Sequence, residues 1–464
     1  MAAGFTPYRL RNLSTRPAVS NSIVTKKTLY SGTMKNLLVL TIIALTGAIT
    51  AVSCQKDMVE VEKRNEDGVV YEKTPIWKAE NTSDQNEPGG AIGYSWIIDG
   101  NLLDNYDTNP ASFKPAMALL DGETGQRKWT WNNVLRDVDP VYINRNYIQR
   151  YNQYLFYNYG PRNYCIDLKT GQTVWRKDRG YTAMNGVTYG IGPIYFARAT
   201  PNEIAKVTGM QDRIYKGDIR TGEELEVAVP AYNLQKWKNN TNWQIFMGVI
   251  TDVYPVIDGP DTLLIATYNE PSLTRYEYET YIGLYNLTKR QWVYDHKRFN
   301  PQWPQAFNSS WLTVVGDKMF TILNRVVACS DWRTGELIWM KTLTSSAAIP
   351  TPIENKYLAV FSVDSHLFLL DINTGQTVWE KDREIMAVTS QMYYDQGILY
   401  YLTKTLNAVE IPSGRKLWSI LAPTTNKLDG NFWGFIVGKP GQSGQKGRIY
   451  VRTGYHTYCF EAVK

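Results

Sequence analysis

The chain has 464 residues, enough for about three ordinary domains or one large repeat architecture. Its 43% apolar and 20% charged content excludes bulk disorder, and four cysteines and three scattered histidines argue against a disulfide scaffold or a polyhistidine metal site. The net charge of +6 comes from residues 1–53, which hold six basic and no acidic residues; without those six, 44 basic residues balance 44 acidic ones, so no nucleic-acid partner is expected.

In chain order, the first signal is an export segment. After Lys35, residues 36–53 read NLLVLTIIALTGAITAVS, an apolar run ending in small residues. Ala51-Val52-Ser53-Cys54 resembles a bacterial lipobox, so Cys54 is the expected lipid-attachment residue and the N-terminus of the mature chain. An uncleaved membrane anchor is the alternative, because the run is near the ~20 residues a span needs. Residues 1–53 are thus read as a leader and signal segment, with Met34 as the true start. Gln55 after the cysteine is not an inner-membrane retention signal by analogy with lipoprotein sorting. The expected location is therefore the outer membrane, on its periplasmic face or at the cell surface. Residues 54–73 are polar and charged and read as a flexible tether.

From residue 74 onward one phrase recurs. An apolar strand end leads to an acid, two residues, Thr-Gly, and a Trp eight residues after the acid. Copies are LLDGETGQRKW (Asp121, Trp129), CIDLKTGQTVW (Asp167, Trp175), CSDWRTGELIW (Asp331, Trp339) and LLDINTGQTVW (Asp371, Trp379). AVEIPSGRKLW (Glu410, Trp418) is a relaxed copy, KGDIRTGEELE (Asp218) has Glu226 in place of Trp, and LYNLTKRQW (Asn286, Trp292) is degenerate with a shortened turn. The phrase is turn chemistry: Asp accepts from backbone N–H groups two residues on, and Gly takes φ > 0 without a Cβ clash. Two further strand-like runs precede each copy, giving four-stranded antiparallel meanders. The acid positions lie 46, 51, 68, 45, 40 and 39 residues apart. Propeller blades run at about 40–50. The 68-residue gap marks an insertion within 232–292, with 237–243 and 269–281 as candidates.

The C-terminal HTYCFEAVK places Glu461 at the acid position without a following Trp strand, whereas TPIWKAEN (74–81) is a Trp strand without a preceding turn. Trp77 is therefore predicted to complete the last blade. The expected fold is an all-β, eight-bladed β-propeller over 74–464, closed by an N-terminal outer strand. A linear β-stack is the alternative, and the split unit argues against it.

The phrase A-x-D-x-x-T-G-x-x-x-W resembles the tryptophan-docking motif of the PQQ-like β-propeller repeat family, over nearly all of 74–464. That resemblance implies that Trp77, Trp129, Trp175, Trp292, Trp339, Trp379 and Trp418 wedge between neighbouring blades. Glu226 and the Asn286 turn depart from the motif and put their junctions in doubt. The family divides into quinone-dependent dehydrogenases and lipoproteins with no known cofactor. The dehydrogenases typically hold PQQ with adjacent cysteines and a calcium ion. This chain has no Cys-Cys pair, so no cofactor is expected. Cys165, Cys329 and Cys459 occupy one repeated strand-end position and read as buried apolar residues. His366 and His456 each lie five residues before an acid position and read as matching turn histidines, while His296 shows no partner.

No catalytic residues or metal ligands are assigned. Trp303 and Trp433, in loop-like contexts, are the candidate binding face. The expected function is a lipid-anchored, non-enzymatic, protein-binding scaffold, with assembly of outer-membrane proteins as one case. A surface glycan-binding protein and a PQQ-dependent alcohol or sugar dehydrogenase are the alternatives.

Overall fold

The computed structural model describes residues 58–64, 68–80, 96–107, 115–131, 148–159, 162–178, 194–198, 213–232, 250–271, 278–298, 309–323, 325–345, 347–362, 364, 366–381, 392–423, 431–432, 436–442 and 444–463. Every regular element among them is a β-strand. The strands form consecutive antiparallel sheets over 96–131, 148–178, 194–228, 250–298, 309–342, 347–381 and 393–420, followed by an eighth over 436–461. Cys54, Trp303, Trp433 and the segment 237–243 lie outside the described residues.

Ring closure follows the split unit. The strand Trp77–Glu80 pairs antiparallel with His456–Glu461, Trp77 opposite Cys459, and becomes the fourth strand of the eighth sheet. Eight apolar clusters fill the junctions, each shared by two successive sheets. The one holding Trp77, Leu102, Leu120, Tyr450 and Cys459 joins the eighth sheet to the first. The molecule is therefore an all-β propeller of four-stranded antiparallel blades. The expectation of eight such blades is corrected: seven sheets contain the four-stranded unit, and the third has three strands among the described residues. Residues 179–193, which precede that sheet, are not among those described.

The tether reading also needs correction. Met58–Arg64 and Gly68–Lys73 form an antiparallel hairpin. Its second strand adds in parallel to the outer strand of the seventh blade, Val70 beside Ser419 and Tyr71 beside Ile420. The amide of Leu421 donates to the Tyr71 carbonyl at 3.0 Å. Val70, Ser419 and Ile420 are buried, so the apolar edge of Lys416–Ile420 outweighs the charge of the hairpin sequence.

The recurring phrase forms the same turn in its five Asp copies. Asp371 Oδ1 accepts from the amides of Asn373 and Thr374 at 3.0 and 2.9 Å, and Gly375 donates to the Asp371 carbonyl at 2.9 Å with φ +69°. Asp121, Asp167, Asp218 and Asp331 repeat the turn. A Cβ on Gly375 would lie 2.5 Å from the Trp339 ring of the preceding blade, so the glycine serves both the backbone angle and the inter-blade contact.

Candidate functional site on the fourth blade

The repeated turns make one end of the ring uniform. There the indole N–H of Trp77 donates to the Gly122 carbonyl at 3.1 Å, Trp129 to Leu168 at 2.8 Å, Trp175 to Ile219 at 2.8 Å and Trp339 to Ile372 at 3.1 Å. Each acceptor is the residue after the turn acid of the next sheet. Trp379 rests on Gly414 without a hydrogen bond to its N–H among the described residues. Trp418 packs in the cluster shared by the seventh and eighth blades.

Trp292 does not take this place. Tyr294, eight residues after Asn286, donates from its hydroxyl to the Trp332 carbonyl at 2.8 Å and lies against Gly335. Trp292 packs instead edge-on to Tyr285, in the cluster between the third sheet and the fourth blade. The Asn286 turn is not shortened: Arg290 stands at the glycine position with φ +55°, and Asn286 Oδ1 accepts from the Lys289 amide at 2.8 Å. Glu226, where the preceding sheet lacks its tryptophan, binds Arg213 Nη1 through both carboxylate oxygens at 2.9 Å.

The opposite end of the fourth blade is built differently. Its strands are long: Ile250–Asp258, Asp261–Pro271, Tyr278–Asn286 and Gln291–Arg298 have 9, 11, 9 and 8 residues. Part of the predicted insertion, 269–271 and 278–281, thus extends the two middle strands. Alternation brings Tyr268 and Glu270 to the same sheet face as their cross-strand partners Tyr281 and Glu279. Tyr281 and the His296 ring stack at 3.9 Å between centroids, 14° from parallel. His296 Nε2 lies 2.7 Å from Glu270 Oε1, a fully buried carboxylate, while the imidazole is 36% exposed. The sequence left His296 without a partner because Glu270 is 26 residues away on another strand.

The support around His296 is dense. Its amide donates to Asp295 Oδ1 at 2.7 Å and also to the Tyr268 hydroxyl. Tyr268 donates to Asp295 Oδ1 at 2.6 Å. Burial, and then Asp295, push the Tyr268 phenol well above its usual range, so it stays a neutral donor. Asp295 Oδ2 accepts from the Ala231 amide at 2.8 Å, tying the chain leaving the third sheet to the fourth blade. His296 has φ +53°, a conformation costing roughly 1–3 kcal/mol for a non-glycine residue and held by surrounding contacts. A buried carboxylate on one ring nitrogen fixes the imidazole orientation, which suits the other nitrogen to a ligand hydrogen bond or proton.

The remaining titratable candidates are structural. Cys165, Cys329 and Cys459 stand opposite Trp175, Trp339 and Trp77, fully buried, with burial pushing each thiol up to about 12. They sit in separate sheets and cannot form the adjacent-cysteine pair that a quinone site of the resembling family uses. His456 opens its strand and His366 stands just before one, their carbonyls accepting from the Thr453 and Ser362 amides at 2.9 Å; His366 Nδ1 also lies 2.7 Å from Glu380 Oε1 on the neighbouring strand. Among the described residues no group of three metal-ligating side chains occurs, and no helix is long and apolar enough to cross a membrane.

Residues 282–464 match a family model described as outer membrane protein assembly factor BamB. No curated protein matches the chain in sequence. Among solved structures, Sqt1 of Saccharomyces cerevisiae is similar at 9% identity and a TM-score of 0.56, over 83% of this chain and 99% of its own. The quinohemoprotein alcohol dehydrogenase of Comamonas testosteroni is similar at 11% identity and a TM-score of 0.55, over 84% of this chain and 76% of its own. BamB from Moraxella catarrhalis aligns at 12% identity over 87% and 100% of the two chains, with a TM-score of 0.42 that adds no weight. At such identities the solved structures speak for the fold alone. Together with the turn phrase and the blades it builds, the family match over the C-terminal part of the chain supports a PQQ-like β-propeller repeat family.

Proposed function

We propose that this chain is a lipid-anchored, non-enzymatic binding propeller of the outer membrane, and that it presents the end of the ring opposite the repeated turns to a partner protein. The difference between the two ends carries this reading. One end repeats a single hydrogen-bonded turn, whereas the other holds the supported Glu270–His296–Tyr281 cluster on lengthened strands. A rigid ring lets such a surface vary without disturbing the core. The BamB description of the matching family model and the lipobox-like Cys54 favour an envelope role in assembling outer-membrane proteins.

PQQ and calcium have no place in this proposal. The adjacent cysteines are missing from the sequence, and the three described thiols are buried in separate sheets. The test is crosslinking of the native protein in cells, followed by mass spectrometry of the captured chains. Capture of outer-membrane barrel or assembly components, lost on His296→Ala with folding intact, supports the reading. Capture of no protein, with saturable dye reduction on adding PQQ, calcium and alcohols, overturns it. Polysaccharide binding lost on Trp303→Ala or Trp433→Ala would instead identify a glycan receptor.

A further inference from the structure

The outermost strand of each sheet forms the rim of the ring, and the large apolar side chains that stay exposed stand mainly there. Val174, Leu225, Val293, Ile338 and Val378 lie on rim strands, and Ile76 lies immediately before one. The two ends of the ring carry polar and charged turns instead, with Arg220 and Ser413 exposed at one and Arg325 and Lys404 at the other. Ile257, in a turn of the repeated end, is an exception.

The hairpin 58–73 sits on this rim. Its second strand pairs with the rim strand of the seventh blade, and Tyr71 packs against the apolar cluster shared by the seventh and eighth blades. The Ile76 amide then donates to the Cys459 carbonyl of the eighth sheet at 2.7 Å. Val70 and Lys73 are buried. The hairpin is thus fixed to two successive blades and cannot swing as a tether would. Its first strand begins at Met58, which pairs with Lys73 beside the seventh–eighth junction. Met58 stands four residues after Cys54 in sequence. A chain of that length spans at most about 14 Å.

We propose that the hairpin seats the ring edge-on at the membrane, with the seventh–eighth junction against the lipid headgroups and the third and fourth sheets on the far side. The inference rests on the reading of Cys54 as the lipid-bearing residue. In a ring of eight consecutive sheets, the third–fourth junction lies opposite the seventh–eighth one. A four-stranded blade is about 14 Å wide at the usual strand spacing, so opposite rims stand at least about 29 Å apart, roughly twice the reach of the tether. The Glu270–His296 cluster of the fourth blade then stands clear of the headgroups. The partner that meets it is an extramembrane domain rather than a wall embedded in the bilayer.

Energy transfer from single labelled sites to the membrane surface tests this. The full-length lipoprotein is reconstituted in phosphatidylethanolamine–phosphatidylglycerol vesicles that carry a headgroup acceptor dye, with the donor on one introduced cysteine. Cys165, Cys329 and Cys459 do not compete for label, because burial pushes each thiol up to about 12. Lys404→Cys and Ser413→Cys probe the two ends of the seventh blade, Arg325→Cys the fifth blade and Arg220→Cys the third sheet. Both seventh-blade sites should transfer most, Arg325 less, and Arg220 least, by at least roughly twofold across a ring of that width. A flexible Gly-Ser insertion between Asp57 and Met58 should level the four. A vesicle-bound chain whose sites rank by end, Lys404 with Arg325 against Ser413 with Arg220, lies flat and overturns the inference while leaving the anchor in place. Four equal sites without the insertion, or a ranking indifferent to it, overturn the inference as well. A chain that stays off the vesicles as its Cys54→Ser variant does would fail the anchor reading itself, and this inference with it.

Discussion

The ring meets itself between the eighth and first sheets, and it departs from its own repeat between the third and fourth. At the closing seam the contacts are redundant. Trp77 and Tyr450 both donate to the Gly122 carbonyl, at 3.1 and 3.0 Å. Lys439 binds Glu123 at 2.6 Å, with Arg448 Nε 3.5 Å from the same carboxylate. Deeper in, Arg452 of the eighth sheet faces Asp104 of the first at 3.8 Å, both almost fully buried, and Thr457 donates to Asp104 at 2.7 Å. At the other junction Glu226 replaces the tryptophan and turns back to Arg213 of its own sheet. The junction is carried by Trp292, Tyr285, Ile214 and Ala228, with Asp295 holding the Ala231 amide. A seam joining distant chain segments has extra polar ties here, whereas a junction between neighbours in sequence tolerates loss of its docking residue.

The largest expected effect comes from the buried pair at the seam. Burial lowers the Arg452 pKa, and Asp104 opposes that shift. Asp104→Leu leaves a buried guanidinium without its counter-charge and should cost about 3–5 kcal/mol in urea unfolding. Pairing it with Arg452→Met should recover most of that loss. If the single substitution is tolerated, the seam does not depend on the pair.

Trp77→Ala should come next. It removes a large buried ring and its Gly122 bond from the strand that closes the propeller, for about 3–5 kcal/mol. Glu226→Ala, at the corresponding place in the third sheet, removes only a partly exposed ion pair and should change stability by less than about 1 kcal/mol. Equal losses at the two sites would erase the contrast between the junctions.

How much of this was legible in the sequence follows from the range of each interaction. The turn phrase is local, so the strands around it and the closing strand at Trp77 could be read directly. The fourth-blade docking position was misread because tryptophan was followed by identity. Counting eight residues from Asn286 reaches Tyr294, with Arg290 at the glycine place. The Asp104–Arg452 and Glu270–His296 pairs join strands far apart in the chain and leave no local trace. In the hairpin 58–73 the alternating valines of MVEVEKR carried a strand signal, but its charge suggested a tether.

The substitution of Tyr294 for tryptophan gives a smaller test. Tyr294→Phe keeps the ring against Gly335 and removes one bond to Trp332, an expected loss of about 1 kcal/mol. Trp292→Ala should cost more, but its coupling should be to Tyr285 and Ile214 in the cluster with the third sheet. A double-mutant cycle linking Trp292 to Trp332 more strongly than Tyr294 would reverse the assignment of the docking residue.

The smallest effect distinguishes the outer ties of the seam from its buried ones. The hydrogen bond from Lys439 holds the Glu123 carboxyl below its ordinary value of 4.5, with the charges of Lys439 and Arg448 adding to the effect. A carboxyl depressed in the folded state stabilises it above the unfolded pKa, and that contribution disappears as pH falls through the folded value. Glu123→Gln should therefore lower the melting temperature slightly near neutrality and converge with wild type in acid. Because Glu123 is half-exposed, salt should shrink the neutral-pH difference as well. The Asp104–Arg452 pair is shielded from solvent and should show little salt dependence. If salt weakened both variants' deficits equally, the seam would behave as a single solvent-exposed network rather than a buried pair with an outer clasp.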